Sequence, residues 1–417
     1  MPRSVPPSTR ARLGVSLMFF TNGVLFSALL PRLPEIKDAF GLSNAQFGLS
    51  VIAFPVGAIL AAAWAAPLIR RFGAPLVVQA GSVLLAAAVA CAGAGPTVWV
   101  FVAALVLGGT IDAIVDAAQN VHGVAVERWH GRSILNSLHA AWSIGAATGG
   151  LIGAVCAAQG VPIGTQMIVN GAVWALAAVY SGVLSRIPAS VPGRTPDAAA
   201  AGAAGGAAKE GSGVVPPPGP GAARAGTGRY AAARLLAPLV VLAICGILVE
   251  DVGNNWAVLF LHTETTAAPA LAGLGLTVLI SAQFVGRILG DPMTDRWGRG
   301  NVARFGGLLI AAGGLVVVFG PGPLGAMAGF ALAGFGCATL VPAAFAAADA
   351  VPGLPAGTGI AMLGWLMRLG FLVTSPAIGL ISDATSLRTA FLVLVAGGLG
   401  AAAIAHAKLR RPVVPAR

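Results

Sequence analysis

Asp112, Asp116 and Asn120 stand at i, i+4 and i+8 within one apolar run, with Gln119 beside them. Helix geometry stacks such positions on one face. Two carboxylates one turn apart repel when both are ionised, so the pair is suited to taking up and releasing a proton. Asp116 is the favoured carrier of the two. The competing reading is that both acids only accept hydrogen bonds from neighbouring helices. A second polar stretch holds Glu250, Asp251, Gly253, Asn254, Asn255 and Trp256. Glu250 and Asn254 share a face, and glycine with paired asparagines weakens a helix locally. Glu250 is the second proton candidate. Asn254, Asn255 and Trp256 are candidate solute contacts, against a kink that touches no ligand.

Arg368 lies in the middle of another apolar run and needs a partner there. That partner is an acid, from Asp112, Asp116 or Glu250, or else an anionic group on a solute. His139 forms a polar stripe with Asn136 and Ser143. It titrates near neutrality, so it is a third proton candidate, although a hydrogen-bonded structural histidine is the commoner case. Asn22, Gln119, Asn120, Trp142 and Trp365 complete the candidate solute contacts. The tryptophans offer rings for stacking or for core packing.

These residues need elements that can hold them, and the composition restricts what those are. Among 417 residues, 57% are apolar and only 9% charged, with a mean hydropathy of +0.86. A soluble domain carries about 25% charged residues. This surface therefore faces lipid. The net charge of +11 does not point to nucleic acid, because the basic residues sit in short loops and form no basic face. Four cysteines (Cys91, Cys156, Cys245 and Cys337) lie inside apolar runs at spacings that fit no metal site or disulfide framework. No phosphate-binding Gly-x4-Gly-Lys-Ser/Thr loop and no nucleophile constellation occurs. Neither a cofactor nor a metal nor an enzymatic activity is expected.

A membrane helix needs about 20 apolar residues. Twelve such runs are expected, at 13–31, 45–68, 75–95, 97–122, 134–158, 162–185, 235–261, 271–292, 303–320, 323–346, 356–381 and 387–406. The basic residues orient them. With the N-terminus in the cytoplasm, 20 of the 25 fall in cytoplasmic segments, three in outer loops (Arg32, Lys37 and Arg388) and two inside spans (Arg287 and Arg368). Residues 1–12 and 407–417 are expected as cytoplasmic tails, and the first run as a retained helix rather than a cleaved leader. Residues 186–234 are rich in Ala, Gly and Pro and read as a disordered linker. It separates two six-helix bundles, 13–185 and 235–406. Gly145, Gly149, Gly150 and Gly153 in span 5 read as close helix packing.

After span 8 the sequence runs Gly286-Arg287-Ile288-Leu289-Gly290-Asp291-Pro292-Met293-Thr294-Asp295-Arg296-Trp297-Gly298-Arg299. This resembles the loop signature of the major facilitator superfamily, with Asp295 at the acid, Gly298 at the turn, and Arg296 and Arg299 at the basic positions. After span 2, Arg70-Arg71-Phe72-Gly73 is a degraded copy with Arg70 where the family has Asp. The resemblance implies a gating loop of Arg71, Gly73, Arg287, Asp291, Asp295, Arg296, Gly298 and Arg299. Phe19 to Gly23, Pro31 to Pro34, Asp116 to Asn120, Asn136 to Ser143 and Glu250 to Trp256 are similar to segments of the YbjJ-like branch, which is related to the fucose-permease group. Asn255 replaces an Asp of that pattern.

The fold expected is therefore an all-α membrane protein of twelve transmembrane helices in two bundles. The function the resemblance implies is secondary transport of a small solute by alternating access, with proton coupling suggested by the intramembrane acids. An efflux antiporter on the same fold and a non-transporting membrane receptor are the alternatives. The expected setting is the bacterial cytoplasmic membrane, with lipid, a solute and protons as partners, no nucleic acid, and a monomer.

Overall fold

The computed structural model describes residues 6–61, 64–131, 134–188, 227–349, 351 and 358–409. Among them, eleven helices are long and apolar enough to cross a membrane, and the bent pair Asn44–Leu60 and Ala65–Phe72 makes a twelfth. The spans in order are Pro7–Ser27, that bent pair, Ala74–Ala94, Val98–His130, Leu135–Ala158, Ile163–Leu184, Thr227–Glu264, Pro269–Trp297, Arg299–Phe319, Gly322–Asp349, Thr358–Ala384 and Leu387–Lys408.

Several expected boundaries move. Span 1 begins at Pro7, so half of the expected tail is helix. Span 2 bends by 55°. Span 4 runs to His130 and stops where Gly131 turns left-handed at φ 74°. Span 7 starts at Thr227, so the last residues of the expected linker belong to its helix. Residues 189–226 of that linker and 410–417 of the C-tail lie outside the described residues. The expected loop after span 8 is also helix, through Pro292 to Trp297. Only Gly298 separates it from span 9, at φ 79° and ψ 147°. Gly73, at φ 80° and ψ 144°, makes the same joint after span 2. A side chain with a Cβ is strained there, which is why glycine survives in both copies.

The helices pack as two copies of one plan. In the first bundle span 1 packs on 5 and 6, span 3 on 4 and 6, and span 2 on 4. In the second, span 7 packs on 11 and 12, span 9 on 10 and 12, and span 8 on 10. Adding six to each number of the first set gives the second. Within the first bundle the glycines bring backbones together as expected. A Cβ on Gly149 would lie 2.6 Å from the Val24 carbonyl oxygen, and one on Gly23 would strike the Trp142 carbonyl.

An even number of spans puts Pro7 and Lys408 on one face, here the near face. On the opposite, far face two arginines anchor loops. Arg32 is buried. It donates to Glu35 at 2.6 and 2.7 Å, to the Val161 carbonyl at 2.8 Å and to Gln166. Arg388 donates to the Val318 carbonyl at 2.8 Å and the Glu264 carbonyl at 2.9 Å. The two halves meet mainly through span 2 on 11 and span 5 on 8, with smaller contacts of residues 30–39 on spans 7 and 8. Every hydrogen bond between them among the described residues lies at the far face, joining Asn44 and Ala45 to Ser382 and Asp383.

Candidate functional site

The first bundle gathers its polar residues into one chain. Asn22 of span 1 is buried at the meeting of three helices. Its amide nitrogen donates to Asp112 Oδ1 at 2.8 Å, and its amide oxygen accepts from the Trp142 indole at 2.9 Å. Spans 1, 4 and 5 are thereby tied through one side chain. An asparagine is suited to this because it both donates and accepts. Asp112 is half-buried, and no cation lies within ion-pair distance of it among the described residues.

Asp116 stands one turn further on and is exposed. Its Oδ1 accepts from Gln119 at 3.1 Å and from Asn120 at 3.1 Å, both on its own helix. The two acids on the shared face thus have different surroundings. Asp116 is solvated and held by local amides, whereas Asp112 depends on Asn22. Gln119 is fully buried and its amide oxygen has no hydrogen-bond partner among the described residues. His139 sets its ring edge-on to Phe19, with centroids 5.3 Å apart. The side chain of Asn136 is outside the described residues.

In span 7 the weak stretch is a π-helical turn over Val252–Trp256. Such a turn inserts one residue into the helix and is frequent at functional sites. The two adjacent acids of this span, Glu250 and Asp251, immediately precede it and have different partners. Glu250 accepts from Gln283, and Arg287 lies 3.2 Å from its Oε1. The guanidinium of Arg287, a residue of the expected gating loop, thus reaches across to span 7. Arg287 and Asp291 are suitably spaced to pair along one helix, but the side chain of Asp291 is outside the described residues. Those of Arg368 and Trp365 are also outside them, within a helical backbone.

Asp251, the other acid, was not singled out by sequence reasoning. It is buried and accepts from Asn255 Nδ2 at 2.9 Å and from Ser375 Oγ at 2.6 Å. Ser375 in turn accepts from the Trp256 indole at 3.0 Å. The available signal was the i, i+4 spacing of Asp251 and Asn255. Trp256 is fully buried and meets Phe47 of the other half edge to face, with centroids 5.2 Å apart. It packs at the junction of the halves, and Asn254 remains partly exposed on the π turn.

The signature residues sit apart from this centre. Arg71, Gly73, Asp295, Arg296 and Arg299 are at the near face, and all but the half-buried Gly298 are exposed. Asp295 makes no ion pair among the described residues. Among the described residues, no ion pair of these side chains joins the two halves.

Comparison with known proteins agrees with this architecture. The family model described as Major Facilitator Superfamily matches residues 15–250 and 239–417. An uncharacterized transporter of Sinorhizobium fredii, y4wD, is 28% identical over 94% of this chain and 96% of its own length. An uncharacterized MFS-type transporter of Yersinia pestis is 28% identical over 93% of both chains. Membrane protein MosC of Rhizobium meliloti is 25% identical over 92% of this chain and 87% of its own. Among solved structures, the nucleoside transporter NupG superposes with a TM-score of 0.70 at 13% identity, covering 96% of this chain and all of that one. FucP in the outward conformation superposes with a TM-score of 0.59 at 17% identity, covering 97% and 100%.

Proposed function

The chain belongs to the major facilitator superfamily, and from that premise we propose that it is a proton-coupled transporter of a small polar solute, with Asp112 as the proton carrier. It is a multi-pass membrane transporter of the superfamily, not an enzyme. The observation that carries the finer reading is the Asp112–Asn22–Trp142 chain. A carboxylate inside a bundle with no cation beside it among the described residues is costly to keep charged, so a proton is its natural counter-ion. Asn22 links that carboxylate to spans 1 and 5 together, so a change of charge on Asp112 is felt by both. Asp116 is better suited to the solute, because it is exposed and already held by Gln119 and Asn120. Glu250 and Arg287 face one another as an ion pair that a charged solute can open from either side.

The basic-residue distribution supports placing the near face in the cytoplasm of a bacterial cell membrane. The polar contacts between halves then close the outside, and the centre opens inward. The similarity of the span 1, 4, 5 and 7 segments supports the YbjJ-like branch. A proton descending about 100 mV provides roughly 2.3 kcal/mol, enough to drive solute uphill.

The test begins with a thermal-shift screen of purified protein against sugars, organic anions and drugs. Any stabilising solute is then followed in proteoliposomes. An imposed pH gradient should drive accumulation by the native protein. Asp112→Asn should keep solute exchange at equal concentration but lose uphill accumulation. Accumulation by Asp112→Asn equal to the native protein removes Asp112 from this role.

A further inference from the structure

Ser43, Asn44, Ala45 and Gln46 open span 2 at the far face, and a helix start leaves four backbone N–H groups without helical partners. Two are satisfied locally by a capping box. Gln46 N donates to Ser43 Oγ at 3.2 Å, and Ser43 N donates to Gln46 Oε1 at 3.0 Å. The remaining two cross to the other half of the molecule. Asn44 N donates to Asp383 Oδ1 and Ala45 N to Asp383 Oδ2, each at 2.8 Å. The carboxylate that completes the cap of span 2 is therefore supplied by the last turn of span 11. The Asn44 side chain adds a bond to Ser382 Oγ at 2.8 Å.

The backbones below are in contact as well. A Cβ on Gly379 would lie 2.9 Å from Ala45 Cα, and one on Gly48 would lie 2.5 Å from the Ser375 carbonyl oxygen. The symmetry-related corner, span 5 on span 8, has none of this charge. Span 8 begins with Pro269, which has no N–H to offer, and it has no side-chain cap. Its contact with span 5 is made by small residues, with a Cβ on Gly273 reaching 2.8 Å from Ala154 Cα.

We infer that Asp383 is the positioning residue that clasps the far face shut, and that the two corners differ in kind. The span 2 and 11 corner is a charged clasp that must break when this face opens. The span 5 and 8 corner is an uncharged rolling contact. The inference rests on the alternating-access reading of the protein. An anion at a helix start and charge-assisted hydrogen bonds favour the closed state together.

The test uses full-length protein in lipid nanodiscs on a cysteine-free background. Spin-label pairs at Leu49/Leu380 and at Val155/Ala270 report the two corners, and all four residues are exposed. Asp383→Asn should raise the ratio of open to closed distances at the Leu49/Leu380 pair by about tenfold. It should widen the Val155/Ala270 distances less. Asp383→Glu should return most of the closed population. A second arm spares Asp383. Asn44→Pro deletes one donor at a first-turn position that tolerates proline, and Asn44→Ala loses the same side chain but keeps the N–H. The proline should open the corner further than the alanine. Two distances in the native protein with no change in Asp383→Asn overturns the clasp alone. A single closed distance in every variant overturns alternating access and the clasp with it.

Discussion

At the scale of single residues, Asn22 is the side chain on which most depends. It satisfies an indole donor and a carboxylate acceptor at once. Removing it takes that partner from both; a fully buried group left so costs about 1–3 kcal/mol, and these half-buried ones cost less. Asn22→Ala should therefore lower the thermal midpoint of the purified protein clearly, whereas Asn120→Ala, which loses bonds only within its own helix, should change it little. Equal shifts in the two variants would contradict the linking role. The sequence placed Asn22, Asp112 and Trp142 among the candidates separately, but their union was not legible. Asn22 and Asp112 are 90 positions apart. Arg287 is similar: its partner Glu250 comes from another helix, 37 positions away. Asp383 has no feature in the sequence that marks it, because its partners are backbone groups 338 and 339 positions away.

At the scale of elements, the π turn in span 7 is the departure from regular structure nearest the centre. Gly253, Asn254 and Asn255 made local weakness legible, though not its form. A π turn holds one residue more than the α-helix needs. Deleting Asn254 should restore continuous α-helix, keeping the folded state while moving Asp251 out of reach of Ser375. The expected result is a monodisperse protein whose solute exchange falls at least about tenfold, with an unchanged helical circular dichroism signal. Full exchange by the deletion variant would show that the turn is incidental. The twelve spans were legible because lipid forbids unpaired backbone and so forces long apolar runs. Their ends were less so. The signature after span 8 read as a loop from its charges, yet hydrogen bonding carries the helix on to Trp297, and only the left-handed glycine ends it.

At the scale of the molecule, two bundles of one plan touch at two corners of one face. Most helix packing lies within a bundle, and the contact between the bundles is concentrated where span 2 meets 11 and span 5 meets 8. Two fragments divided within 189–226 should therefore fold separately and associate. Co-expression of the halves in one membrane should give a complex recoverable by a tag on either, and solute binding should return with it. Fragments that are each degraded even when made together would refute the two-body description. The repeat was legible in its joints, Arg-Phe-Gly and Arg-Trp-Gly, and the packing plan shows that the duplication extends to five helix pairs in each bundle. The far-face arginines give the molecule a timetable as well. Arg32 leaves the ribosome 134 residues before Gln166, one of the groups that hold it. At about 5–20 residues per second, this is a wait of roughly 7–27 s. With the near face in the cytoplasm, as proposed, a cation carried across the bilayer waits on the far side during that interval with only Glu35 as a local partner. The first bundle is thus finished by its last helix, when span 6 arrives to dehydrate a charge that span 1 delivered.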